Sequence, residues 1–314
     1  MAGSPATPEQ RLDVTPVWPV RLRGETFSAP ARREGDVRVR LVHVGDEPVV
    51  LRVAQPADDR VVIGARSASE DAGRAALARA RIWTAVDDDL APFVERFAGD
   101  PLIGAGVRAE PWRRPFRRAT TFEALALAVC EQLIDDERAR AINGEILRRL
   151  GRRHAGLTDL PSADTVAGLS PAELERCGLA HARAVALIRA AREVASGRVD
   201  LDDPERHVHD WRRLRAINGI GAWTLSMLAL HGQGVPDALP AGDFAYRNLV
   251  GQVRSGLPQG MASEQDVVEF LAPYAGWRGV AGWHLLMLGP SHLRAALGLG
   301  PMREHAREQR HRTR

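Results

Sequence analysis

The chain is predicted to be mainly α with a small N-terminal α+β domain. Three observations predict this. Residues 37–64 hold short runs that alternate apolar and polar side chains around a Gly45-Asp46-Glu47-Pro48 turn, the pattern of half-buried strands. From residue 90 onward apolar residues recur at spacings of three and four, the helical period. Helix-start signals accompany that second pattern. In Ser170-Pro171-Ala172-Glu173 the serine suits the cap, the proline the first helical position and the glutamate the third.

A chain of 314 residues is long enough for two ordinary domains. Its 45% apolar and 26% charged content is that of a globular protein. No apolar run approaches the ~20 residues that span a bilayer, and residues 1–11 lack the apolar core of a signal peptide. A cytoplasmic protein with no membrane association is therefore expected. Cys130 and Cys177 lie far apart in apolar helical surroundings and read as buried thiols. Two cysteines exclude a four-cysteine zinc or iron–sulfur centre.

The net charge of +3 is supplied entirely by residues 301–314, where five Arg stand against two Glu. Overall charge is thus no signature of nucleic-acid binding. Two local clusters, Arg113, Arg114, Arg117 and Arg118, then Arg148, Arg149, Arg152 and Arg153, read equally as phosphate contacts or as solvated surface. The chain contains no lysine; all 43 basic side chains are arginine. A guanidinium does not act as an amine nucleophile, so Schiff-base chemistry by a side chain is excluded.

Taken in order, residues 1–12 are expected to be disordered. Residues 13–89 form a small antiparallel sheet with one helix, from strands at 37–44, 49–53 and 61–64 and a helix at 69–81. Residues 90–300 form a helical domain. Its first helix is 90–97, with Pro92 tolerated in the first turn. A loop covers 99–119, and helices at 121–134 and 137–150 pair. Further helices start at Ser170 and cover 179–196, 204–217, 244–253, 263–271 and 280–288. Residues 301–314 are a basic disordered tail.

Within the helical domain the stretch 214–243 stands out. Leu214 and Ile217 precede Gly219-Ile220-Gly221, and an apolar stretch from Trp223 to Leu230 follows, so 214–231 reads as a helical hairpin. Glycine accepts positive φ and close approach of another backbone or a ligand. The second helix begins with amide groups that lack acceptors, a ready phosphate site. Residues 236–242 then lead to Asp243, in the N-cap position of the next helix. Taken singly, a Gly-x-Gly is a turn and such an Asp is a cap; the combination is far more specific. It resembles the helix-hairpin-helix and Gly/Pro-Asp motif of the DNA glycosylase superfamily. In particular it resembles the bacterial 3-methyladenine DNA glycosylase II family, from Leu214 through Gly219-Ile220-Gly221-Ala222-Trp223-Thr224 to Pro240-Ala241-Gly242-Asp243, and over about residues 90–290 in all.

The resemblance implies the helix-hairpin-helix DNA glycosylase fold. It also implies a monofunctional DNA N-glycosylase that flips and excises alkylated purines in base excision repair and leaves an abasic site. Asp243 would be the catalytic carboxylate, in a cleft between helical subdomains. Trp223, Met227, Phe244 and Trp277 would line the base pocket. Gly219, Ile220, Gly221, Ala222, Thr224 and Arg278 would contact DNA, with Gln132 and Leu133 at the wedge that enters the minor groove. In members with lyase activity a lysine stands where Trp223 stands here, which implies no lyase step. No cofactor and no catalytic metal are expected, beyond a structural monovalent cation on the hairpin carbonyls. The expected partner is double-stranded DNA containing alkylated bases, and a monomer is expected. The chain departs from the family in two places. Asp135-Asp136-Glu137 replaces a polar, small stretch and would repel a DNA backbone, and Leu286 stands where a pocket aromatic is expected. A second reading therefore stays open, a catalytically weak or inactive protein that binds damaged DNA. A third, an unrelated helical protein with a coincidental motif, predicts no salt-dependent DNA binding.

Overall fold

The computed structural model describes residues 9–22 and 31–303. Alternation of apolar residues builds its sheet. Strands β1 (Glu9–Val14), β2 (Ala31–Glu34), β3 (Val37–Val44), β4 (Glu47–Ala57) and β5 (Arg60–Arg66) pair antiparallel in the order β1-β5-β4-β3-β2. On β4, Val49, Leu51 and Val53 point into the core, one residue in two, as a strand requires. Helix α1 (Glu70–Thr84) covers that face with Ala72, Ala76, Ala80 and Trp83, spaced by three and four. Ser69 caps it by accepting the Ala72 N–H, and Glu70 and Asp71 complement its positive end. Residues 9–12, expected to be disordered, belong to β1, which pairs Glu9–Val14 with β5. Residues 1–8 and 304–314 lie outside the described residues, as do the expectations made for them.

The helices follow: α2 (Ala91–Phe97), α3 (Gly104–Ala109), α4 (Thr121–Glu131) and α5 (Asp136–Leu150). A small hairpin of β6 (Arg152–His154) and β7 (Leu157–Asp159) intervenes. Then come α6 (Ala163–Ala167), α7 (Pro171–Glu175), α8 (His181–Ala195), α9 (His207–Arg215) and α10 (Ala222–Leu228), which continues into a π-helical turn at Ala229–Gln233. The last are α11 (Phe244–Ser255), α12 (Glu264–Leu271) and α13 (Arg278–Ala296), the last broken at Gly289 before Pro290. Helix α3 lies in the stretch expected to be loop. Helix α4 stops at Glu131, three residues short of its expected end. Among the described residues no helix is long and apolar enough to cross a membrane.

The chain forms two compact units, Met1–Asp89 with Phe116–Gly234, and Leu90–Pro115 with Val235–Arg314. The division keeps a break between residues 89 and 90 but groups the sheet with helices α4 to α10. The cause is polar as well as apolar. Arg40 on β3 and Glu123 on α4, with side chains 1% and 3% exposed, form an ion pair. His43 Nδ1 on β3 lies 2.9 Å from Asp159 Oδ2 on β7, also buried. The first unit has one core under the sheet and another among α4 to α10, centred on Leu125, Leu187, Leu214 and Leu228. In the second unit Phe93, Ile103 and Val107 pack with Val250, Val267 and Leu285.

Each unit buries a neutral histidine. His231, in the π-helical turn, stacks on Phe116 at 4.3 Å, and its Nδ1 lies 2.9 Å from the Phe116 carbonyl. His284 stacks on Phe93 at 5.5 Å. Burial pulls both pKa values down to about 4.

Two outcomes are expected. Glu123→Gln leaves the Arg40 charge buried beside a neutral partner and lowers the unfolding free energy in urea by about 3 kcal/mol, whereas the double change Arg40→Met with Glu123→Leu recovers most of the loss. The unfolded histidines take up protons near pH 6.5 and the folded ones only near 4. The stabilisation is therefore complete above about pH 7 and is lost as pH falls from about 6.5 to 4. His231→Asn flattens that part of a melting-temperature profile.

Candidate functional site

The hairpin of the first unit joins α9 to α10 through Ala216–Gly221. The Ile220 N–H closes the turn on the Ile217 carbonyl at 3.0 Å, and Ile220 itself is buried in the helical core. Gly219 has φ of +96°, and a Cβ there would sit 3.1 Å from the Ala186 Cβ of α8. Both its backbone conformation and its close packing call for glycine. Gly221 is the N-cap of α10, makes no side-chain cap, and has open space where a Cβ would stand. The start of α10 is thus a set of backbone amides with room for an anion in front of them.

Opposite this turn stands the loop between α4 and α5. Leu133 is fully exposed (105%) and holds a φ of +53°, a left-handed conformation that a branched side chain adopts at a cost. Its neighbours fix it. The Gln132 Nε2 donates to the Gly219 carbonyl (2.8 Å) and to the Thr224 hydroxyl (2.6 Å), which joins the tip to the hairpin. Arg183 on α8 donates to the carbonyls of Cys130 and Gln132, both at 3.0 Å. Asp135 accepts the Arg138 N–H at 2.8 Å as the N-cap of α5, and this bond holds its carboxyl below the usual range. Asp136 and Glu137 occupy the first turn of α5. The local reason for the acidic run is therefore the start of a helix. An apolar side chain is thus held out in water on a braced backbone.

On α10, Trp223 and Met227 are one turn apart and half-buried, while Thr224, Leu225 and Leu228 are buried. The first pair thus forms one side of the helix, outside the apolar core.

The second unit carries Asp243. It ends a tight turn in which its own N–H donates to the Pro240 carbonyl at 2.8 Å. Its Oδ1 accepts the Ala245 N–H at 2.9 Å, the N-cap of α11. The carboxylate charge is felt by the buried Tyr246 hydroxyl, whose pKa is raised, first by burial and then by Asp243. Phe244 is 71% exposed beside the carboxylate. The loop before Asp243 is pinned by Asp237, whose carboxylate accepts from Arg278 Nε (2.8 Å), from the second guanidinium nitrogen and from the Arg278 N–H. Burial raises the Asp237 pKa, but the bonds from Arg278 outweigh it and leave it lowered.

Several residues singled out in the sequence make contacts that the sequence does not announce. Arg278, expected at DNA, is engaged by Asp237. Trp277, expected in the base pocket, packs its ring 5.6 Å from Phe93 in the core of the second unit, and Leu286 packs on the same core. The arginine clusters are largely paired internally: Arg113 with Glu110, Arg117 with Asp88, Arg148 and Arg149 with Glu145, Arg152 with Asp159. Two side chains that hold these loops had no sequence signal. Arg183 is one arginine among several on an amphipathic helix, and Asp237 meets its partner 41 residues away.

No family model matches the chain. It is 30% identical over 219 residues to the probable bifunctional transcriptional activator/DNA repair enzyme AlkA of Mycobacterium tuberculosis, a match covering 67% of this chain and 42% of that protein. The chain thus spans under half the length of that relative. It is 24% identical to the DNA-3-methyladenine glycosylase of Bacillus subtilis over 65% of this chain and 68% of that one. The solved 3-methyladenine DNA-glycosylase from Archaeoglobus fulgidus superposes with a TM-score of 0.71 at 17% identity, covering 88% of this chain and 97% of its own. The chain therefore shares the fold of that solved glycosylase.

The braced tip gives a test that depends on the local geometry alone. Leu133→Gly relieves the left-handed strain and removes no packed surface, so melts are expected to show unchanged stability or a gain of up to about 1 kcal/mol. A loss larger than that would place Leu133 in a structural role.

Proposed function

We propose that this chain is a monofunctional DNA N-glycosylase that removes alkylated purines and leaves an intact abasic site. The observation that carries the enzymatic reading is Asp243. A carboxylate that served only to cap α11 would need no exposed aromatic next to it, yet Phe244 stands 71% exposed there. Phe244 and Leu133 are the two most exposed large apolar side chains among the described residues, which suits contact with a partner. Leu133 is the second such side chain, and it suits the space that an extruded nucleotide leaves in the duplex.

In this reading the hairpin amides that start α10 hold a backbone phosphate of the lesion strand. The carbonyl of Gly219, which accepts one bond from Gln132, keeps a lone pair. Oxygen donors of this kind suit a structural monovalent cation, which would help hold that phosphate. The target nucleotide turns out of the stack, since its glycosidic bond is otherwise shielded. The indole of Trp223, with Met227 one turn along the same helix, is offered to the base. A methylated purine is cationic, and an electron-rich ring face attracts it by about 1–2 kcal/mol once desolvated. The C1′–N bond then breaks with its electron pair leaving on the base, which neutralises the base charge. Positive charge moves to the sugar, where the Asp243 carboxylate stabilises it. Water adds to C1′ and loses a proton. With no lysine in the chain, no side-chain amine is present to attack C1′ and start a lyase step.

The experiment uses methylated duplex DNA. The wild-type chain is expected to release methylated purines, with strand breaks appearing only after alkali. Asp243→Asn is expected to lower the release rate by about 10²-fold or more while DNA binding persists. Wild-type protein that binds the DNA but releases no base, from this or a wider set of lesions, overturns the enzymatic reading in favour of a damage-binding protein.

A further inference from the structure

We propose that the first unit carries a second binding site, a cavity of about 390 Å³ walled by the sheet end and helices α4, α5 and α8, which takes a small organic cation with an apolar body and N–H donors. Its volume is that of ordinary small-molecule sites. All of its lining comes from the first unit. Neither the hairpin turn nor the Leu133 tip contributes to it, so it is separate from the surface assigned to DNA.

Three residues of its lining each bury a polar atom that has no hydrogen-bond partner among the described residues: Glu123 Oε1, Asn143 Oδ1 and Arg152 Nε. Glu123 is 3% exposed, so its free carboxylate oxygen has no ready access to bulk water. Folded proteins rarely leave such atoms unmet. Two of the three are acceptors, and they call for an occupant rich in N–H groups.

The charges agree. Arg40 answers Glu123, and Arg152 answers Asp159. Three further lining carboxylates, Asp164, Asp200 and Asp202, are exposed, against one further guanidinium, Arg79, which donates to the His43 carbonyl. An acidic mouth draws in cations and turns away phosphates, the reverse of the preference of the hairpin amides. The remaining wall is apolar, with Leu127, Ile146, Val166 and Leu187, and accepts a hydrocarbon chain or a ring equally well.

The shared chemistry can come from an aliphatic polyamine or from an aromatic amidinium, and the test separates them. The intact chain is titrated by calorimetry with spermidine and, separately, with benzamidine; inorganic phosphate serves as the negative probe. One of the two cations is expected to bind one-to-one with a dissociation constant below about 100 µM. Asn143→Leu is expected to weaken that binding roughly tenfold or more. Ala126→Phe, which fills the cavity from α4, is expected to abolish it, with melts reporting that each variant still folds. Absence of binding by either cation at about 1 mM, or binding unchanged in both variants, overturns the proposal. Base release from methylated DNA is measured in parallel, and its failure bears on Asp243 alone.

Discussion

The Arg40–Glu123 ion pair holds α4, and α4 holds the exposed tip. Both charges are shut away from water, so neither tolerates loss of the other, and the docking of α4 on β3 is close to all-or-none. Glu123 also lies in the first turn of α4, where the helix dipole favours an acid. From there nine residues of helix, about 13 Å, run to the loop where Gln132 and Leu133 stand. The Gln132 amide closes the circuit onto Gly219. The sheet, which carries no chemistry of its own in this reading, therefore helps set the distance between the tip and the hairpin.

The chain uses arginine where other proteins divide the work between two basic residues. Its planar, multiply donating head suits structural tasks: Arg183 grips two carbonyls beside the tip, Arg278 grips Asp237, and Arg294 bonds the carbonyls of Val253 and Gly300. Much of the positive charge is thus consumed internally, which accords with a net charge near zero outside the last fourteen residues. In the proposed reading, affinity for a phosphate then falls mainly to backbone amides, whose geometry is fixed and whose charge is only partial.

How much of this was legible follows from range in the sequence. The hairpin, its glycines and the Asp243 cap are local: each depends on residues within a few positions, and glycine and capping residues carry their conformation in their chemistry. Strand β3 and the capping box of α7 were legible for the same reason. The pairs that fix the site were not, because Arg40 meets Glu123 across 83 residues and Asp237 meets Arg278 across 41. Strand β1 was missed because it is an edge strand in which Glu9, Gln10 and Arg11 hide the alternation. The end of α4 was set too late because Leu133 and Ile134 continue the apolar period, and no residue type announces a left-handed leucine. Trp277 shows the converse limit: its packing on Phe93 has no signature in the sequence.

The two units are interleaved along the chain, which passes between them at residues 89–90, 115–116 and 234–235. Synthesis runs from the N-terminus, so the order of assembly is already written into this threading. When residue 234 has left the ribosome, the sheet and helices α4 to α10 have all their partners. Segment 90–115 has none, and Phe93, Ile103 and Val107 wait in the nascent chain as an apolar stretch held at both ends. Only the last helices supply their core. A ribosome that stalls between residue 235 and the end of α13 would therefore leave a finished first unit bearing a sticky, unfinished loop, the kind of surface that chaperones recognise.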